Sequence, residues 1–292
     1  QYLDNCRARN LRQGTIKHYS ESVKQLYKQV PQDTPICDMD INTFENLIIA
    51  LRENPNLNDV SLYTYARDFK TFLYYFMDKE YIPTYKIKLT KADKQPIEVY
   101  SDRELAKLLK KPNLKQCSFQ EYKSWVIVNF LLSTGVRQHS LINIKVKDID
   151  FENGVVYVNV TKNRKPLIVP LNKDILNILR EYLKYRNAES NEDWLFCNVF
   201  GKQLVKSTVY HSIYEYNKSR GVETTGMHRF RHTFAKKWVT MGGSVVTLQK
   251  ILGHSSLAIT ENYLNILICD MKKDVDQFNI LQEFKKESIK MK

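Results

Sequence analysis

The segment from His228 to Tyr263 gathers the side chains with the greatest chemical reach in this chain. It reads His228-Arg-Phe-Arg231-His232-Thr-Phe-Ala, then Leu252-Gly253-His254-Ser-Ser, then Glu261-Asn-Tyr263. Arginine is a planar, permanently charged fork that clamps phosphate oxygens through parallel N–H bonds. Histidine holds or passes a proton near neutrality. A tyrosine hydroxyl becomes a nucleophile once something takes its proton. Together these residues point to attack on a phosphodiester.

Upstream, Ser133-Thr-Gly-Val-Arg137-Gln-His-Ser-Leu141 supplies another arginine. Val155-Val-Tyr-Val-Asn-Val160 and Leu167-Ile-Val-Pro170 are β-branched runs flanking Thr161-Lys-Asn-Arg-Lys-Pro166, a hairpin by pattern. In this order the boxes resemble those of the tyrosine recombinases, the phage integrase family. That family has a Thr-Gly-hydrophobic-Arg box, a hairpin lysine, His-x-x-Arg, Leu-Gly-His and a nucleophilic tyrosine, here nine residues after His254. The resemblance covers residues 137 to 263 and implies six catalytic residues: Arg137, Lys162, His228, Arg231, His254 and Tyr263.

A phosphorane-like centre carries negative charge on its non-bridging oxygens and needs donors fixed in advance; the resemblance assigns these to Arg137 and Arg231. A tyrosine of ordinary pKa is ionised to about one part in a thousand at pH 7. Attack by Tyr263 therefore needs a proton acceptor, which the resemblance gives as His228, with His254 binding the scissile phosphate. Lys162 would protonate the departing 5′ oxygen, help typically worth about 10² to 10⁴ in rate. The expected product is a 3′-phosphotyrosyl bond and a free 5′ hydroxyl. That linkage keeps the bond energy, so no metal, ATP or other cofactor is expected.

Each residue also has a plainer reading. Lys165 is a rival to Lys162 in the same turn, since turn lysines are usually solvated. His228 and His232 stand at i and i+4 and could share a metal, but no Glu lies between them as in the zinc protease pattern and no third ligand is evident. His232 is expected to support its helix from within. Ser140 stands where the family commonly has an acidic residue, which predicts a less rigidly buttressed Arg137 and reduced or partner-dependent activity.

The composition suits a polyanionic partner. The chain has 45 Lys plus Arg against 32 Asp plus Glu, a net charge of +13. Residues 1 to 95 hold 14 basic and 12 acidic side chains, leaving 31 and 20 for the rest, so the second part should hold DNA harder. No apolar run of about 18 residues suggests a membrane span, and no signal pattern opens the chain. Five widely spaced cysteines without a Cys-x-x-Cys pair read as free thiols. A cytoplasmic or nucleoid location is expected. The chain opens on Gln1 rather than Met, leaving room for a leader or a small module ahead of it.

The elements that must position these residues follow from periodicity. Helices are predicted over 15–30, from Asn42 to about Glu53 with Asn42 as N-cap, and from near Ser61 to Phe76. In the last, aromatics at 65, 69, 72 and 76 form a core stripe more readily than a stacking platform. This gives a helical domain at 1–83, which the resemblance makes a core-binding (SAM-like) DNA-binding domain. Lysine-rich 84–97 reads as a basic linker, followed by a catalytic domain over 98–292. Within that domain, helices are predicted from Ser101, over 118–133, 171–185, 227–241 and 245–252, and over 257–265 carrying the tyrosine. The fold class is mainly α with a small β-sheet, the two domains closing as a C-shaped clamp around DNA.

The resemblance implies a site-specific recombinase that exchanges strands of double-stranded DNA at core sites, through a Holliday junction, as a homotetramer. Its most natural role is integration or excision of a mobile element. A Xer-type dimer resolvase shares every catalytic residue, a type IB topoisomerase shares the chemistry, and a catalytically idle DNA-binding protein would share only the charge. The tail from 264 on carries Ile266, Ile268, Val275, Phe278, Ile280, Leu281 and Phe284. It either packs on its own domain or docks on a neighbouring protomer, as in relatives.

Overall fold

The computed structural model describes residues 1–31, 33–89, 98–162, 164–261 and 263. The chain divides into two compact units, Gln1–Pro96 and Ile97–Lys292.

In the first unit α1 (Tyr2–Ala8), α2 (Gln13–Leu26), α3 (Ile41–Arg52) and α4 (Asp59–Asp78) enclose one apolar core. The aromatic stripe of α4 lies in it: Phe69, Phe72 and Phe76 are buried, and Tyr65 packs alongside. Helix α3 starts earlier than its predicted Asn42 cap. Asp40 accepts from the Thr43 amide, and Thr43 Oγ1 accepts from the Asp40 amide, satisfying two orphan donors at once. The expected linker is also shorter at its start. Ile87 is buried, its carbonyl accepts from Lys70 Nζ at 2.8 Å, and Tyr85 Oη donates to Met39 O at 3.1 Å. Residues 84–89 thus belong to the packed unit, the apolar alternation of Tyr85, Ile87 and Leu89 outweighing the lysines between them. The remainder, 90–97, lies outside the described residues.

The second unit runs α5 (Asp102–Leu109), α6 (Phe119–Thr134), α7 (Gln138–Leu141), β1 (Ile149–Asp150), β2 (Val155–Val158), β3 (Leu167–Pro170), α8 (Lys173–Arg186), α9 (Lys206–Ser219), α10 (Met227–Thr240), α11 (Val245–Leu252) and α12 (Leu257–Glu261). Helix α6 is its axis, touching α5, α8, α9 and α10. It has apolar side chains on every side, with Val126, Val128 and Phe130 almost fully buried. A helix patterned this way must be covered all round, and each such side chain contributes roughly 1.5–3 kcal/mol on burial. The three strands form an antiparallel sheet in the order β1-β2-β3, with Val156 opposite both Ile149 and Val169. The mainly helical class with a small sheet agrees with the sequence. Among the described residues no helix is long and apolar enough to cross a membrane.

Candidate active site

The site is assembled where α6, α10 and α11 end or begin. Helix α6 stops at Gly135, whose φ of +61° suits glycine. A Cβ there would lie 2.5 Å from Phe234 Cδ1 and 2.8 Å from Leu252 Cδ2, so the residue must be small as well as left-handed. The turn delivers Arg137 as the N-cap of α7. Its Nη1 stands 3.5 Å from the carbonyl of Leu252. Ser140, on α7, donates from Oγ to Val160 O at 2.9 Å and so fastens the Arg137 turn to the hairpin loop. The residue that departs from the family pattern thus supports the loop through its hydroxyl.

Arg231 is the buried member of the arginine pair, 4% exposed on α10. Its Nη1 donates to Gly135 O at 2.7 Å and its Nη2 to Leu252 O at 2.8 Å. Burial and the charge of Arg137 lower its pKa to about 10, leaving it charged at neutral pH. Helix α11 ends at Gly253, again left-handed at φ +61°, which turns His254 back towards the arginine. His254 is pushed down to about 4, first by burial and then by Arg231 and Arg137. It is therefore neutral, and the hydrogen-bond pattern assigns its tautomer. Nε2, 2.8 Å from Arg231 Nη2, accepts, so Nδ1 carries the proton and donates to Thr260 Oγ1 at 2.9 Å. Thr260 is fully buried on α12, and its carbonyl accepts from the Tyr263 amide at 3.0 Å. The Tyr263 turn is hung from His254.

Tyr263 lies in a turn just past α12, with its ring stacked on that of His254 at 6.4 Å between centroids and 8° between planes. It packs beside Ala235, Leu248 and Leu252. Its Oη is 2.8 Å from Nδ1 of His232. Burial raises the phenol pKa, with Arg231 and Arg137 pulling it partly back, while burial, His228 and Arg231 lower that of His232. At neutral pH both groups are uncharged, so the phenol donates and the imidazole accepts. His232, expected to support its helix from within, faces the Tyr263 hydroxyl. The expected acceptor, His228, lies one helical turn away, its ring centroid 6.4 Å from that of His232. Its pKa falls through burial, then through Arg231, Arg137 and Lys162, which places it among the cations. Sequence reasoning also passed over Thr260. Its position three residues before Tyr263, within one turn of chain, is the available signal.

Arg137, Arg231, His254, Thr161 and Lys165 line one cavity of about 410 Å³. Thr161 Oγ1 donates to Lys165 O at 2.7 Å, closing the turn between the strands. Lys162 is exposed at the tip, near enough for its charge to act on His228. Both loop lysines therefore border the site.

The phage integrase family signature matches residues 98–267, more than half of the chain. The chain belongs to this family, the tyrosine recombinases. It is 27% identical over 270 residues to tyrosine recombinase XerA of Saccharolobus solfataricus, covering 89% of this chain and 85% of the relative. To tyrosine recombinase XerC of Staphylococcus aureus it is 28% identical over 277 residues, covering 91% and 90%. In fold it is similar to the Tn1549 transposon integrase solved with a circular intermediate DNA, at a TM-score of 0.75, 21% identity and 95% and 98% coverage. A lambda integrase dimer bound to a core site gives a TM-score of 0.71 at 19% identity, with 90% and 92% coverage.

Proposed function

We propose that this tyrosine recombinase cuts and rejoins double-stranded DNA at specific core sites, with Tyr263 as nucleophile. The observation that carries this reading is the continuous bonded network joining Arg137, Arg231, His254 and Tyr263 across three helix ends. Arg137 and Arg231, held on main-chain oxygens, present their remaining N–H groups to the non-bridging oxygens of the phosphate, and His254, accepting from Arg231 through Nε2, holds that arginine in place. Tyr263 Oη bonds to phosphorus, its proton passing to a histidine of α10. The bond from phosphorus to the 5′ oxygen breaks, and a loop lysine, Lys162 in our assignment, protonates that oxygen. The reverse attack by a 5′ hydroxyl reseals the strand, with no metal or nucleotide consumed.

Exchange of strands in this scheme runs through a Holliday junction in a DNA-bound homotetramer. The N-terminal unit and the catalytic unit close on the duplex, and the tail beyond Tyr263 docks on the neighbouring protomer. We assign the chemistry to integration or excision of a mobile element. The XerA and XerC relatives, aligned along most of their length, favour resolution of circular dimers as the second reading. Recombination on plasmids carrying paired element ends, against plasmids carrying paired dimer-resolution sites, separates the two.

The direct test of the nucleophile uses a nicked suicide site and denaturing electrophoresis. The wild-type protein should form a covalent adduct, and Tyr263→Phe, which loses only the hydroxyl, should bind the site without forming one. An adduct with the mutant would remove the assignment. No adduct with either protein would favour an idle DNA-binding role.

A further inference from the structure

We propose that His232, not His228, is the general base that takes the proton from Tyr263 during strand cleavage and returns it during rejoining. This rests on Tyr263 being the nucleophile. The contact is direct, Nδ1 to Oη at 2.8 Å, within the range expected of a catalytic base and its proton. The other two histidines of the site are engaged differently. His254 has both ring nitrogens occupied, one by Arg231 and one by Thr260. His228 lies a turn away beside Arg231, Arg137 and Lys162, where it suits a phosphate contact better than a proton sink.

The groups facing His232 are His228 and Arg231 on its own helix, His254 from the turn after α11 and Tyr263 from the turn after α12. Without DNA these neighbours favour the neutral ring, and the tyrosine keeps its proton. A bound phosphodiester brings a negative charge to the two arginines and so favours protonation of a nearby imidazole. The base thus strengthens when substrate arrives. As Oη bonds to phosphorus its proton moves to Nδ1, giving an imidazolium. The P–O5′ bond breaks and the 5′ oxygen gains its proton from the loop lysine. Rejoining reverses every transfer, so protons and charges balance over the cycle.

A base can be replaced by a more acidic nucleophile, whereas a structural support cannot. Single-turnover cleavage of the suicide site should fall by about 10² to 10⁴ in His232→Ala, the usual worth of general base catalysis, with site binding retained. Introducing a ring-fluorinated tyrosine at position 263, which ionises more easily, should recover at least about tenfold of that loss in His232→Ala and give no comparable gain in the wild type. His228→Ala should show no such recovery. If His232→Ala no longer binds the site, His232→Gln, which keeps a polar side chain in the space, is read in the same way. Loss without recovery, or recovery in His228→Ala alone, overturns the proposal. Adduct formation that persists in Tyr263→Phe would instead overturn the nucleophile assignment beneath it.

Discussion

Lys162 and Lys165 offer two candidate ammonium groups for the proposed protonation of the 5′ oxygen. One lies at the exposed tip near His228 and the other lines the cavity with the arginines. A bridging 5′ sulfur leaves without protonation, so cleavage by the variant that lacks the true acid should recover on that substrate. We expect recovery in Lys162→Ala; recovery in Lys165→Ala alone would reverse the assignment. The histidines carry a second residue-scale prediction. His228, His232 and His254 all have lowered pKa values, so folded protein binds fewer protons than unfolded protein below the ordinary histidine value of about 6.5. Stability should therefore be lost as pH falls from about 6.5 towards the His254 value of about 4. The melting temperature should drop between pH 7.5 and pH 5, and His254→Gln should reduce that drop; an unchanged slope would count against the assignment. The six proposed catalytic positions can be named from the sequence because each has a fixed place in a linear pattern. The choice between His228 and His232 was not legible, because it depends on how Tyr263 folds back after Gly253, which no local pattern specifies.

At the scale of elements, the end of α6 decides whether the site exists. Gly135→Ala adds a methyl between Phe234 and Leu252 and forces a left-handed residue to carry it. Overpacking costs typically 1–3 kcal/mol, and the left-handed strain roughly another 1–2. We expect a clear fall in stability by chemical denaturation and a larger loss of cleavage, because the displaced carbonyl also holds Arg231. Wild-type stability in the variant would show that the turn relaxes freely. Helices α6, α8, α10 and α11 came close to their predicted spans because capping residues and glycines mark their ends, as Ser118, Asn172 and Gly253 do. Strand β1 spans two residues, too few to show alternation. Helix α9 opens without a side-chain cap and mixes tyrosines with serines along its length, so its buried Val209, Ile213 and Tyr216 make sense only once α6 covers them. The tyrosine helix, predicted to reach residue 265, is described only to Glu261; 264–265 and the tail lie outside the described residues.

At the scale of the molecule, charge and division of labour make one prediction. The unit Ile97–Lys292 carries 31 basic and 20 acidic residues. Its binding to a core site, followed by fluorescence anisotropy, should weaken steeply as salt rises, because cationic side chains displace condensed counterions. The unit alone should also bind more weakly than the whole chain. Equal affinity for the two would remove the clamp argument and leave the N-terminal unit without a part in DNA binding.

The acceptors that fix Arg231 are the carbonyls of Gly135 and Leu252, and every amino acid has a carbonyl. Side-chain substitution at position 252 can alter the packing around it but cannot delete the oxygen. A scan of side chains would score these two positions as packing sites, although the charge of the active site hangs from them. Their role shows only as a matter of place. A shift of either helix end by about 1 Å stretches a 2.8 Å bond past useful length. Such a shift would disarm the proposed site with all six of its assigned side chains still present.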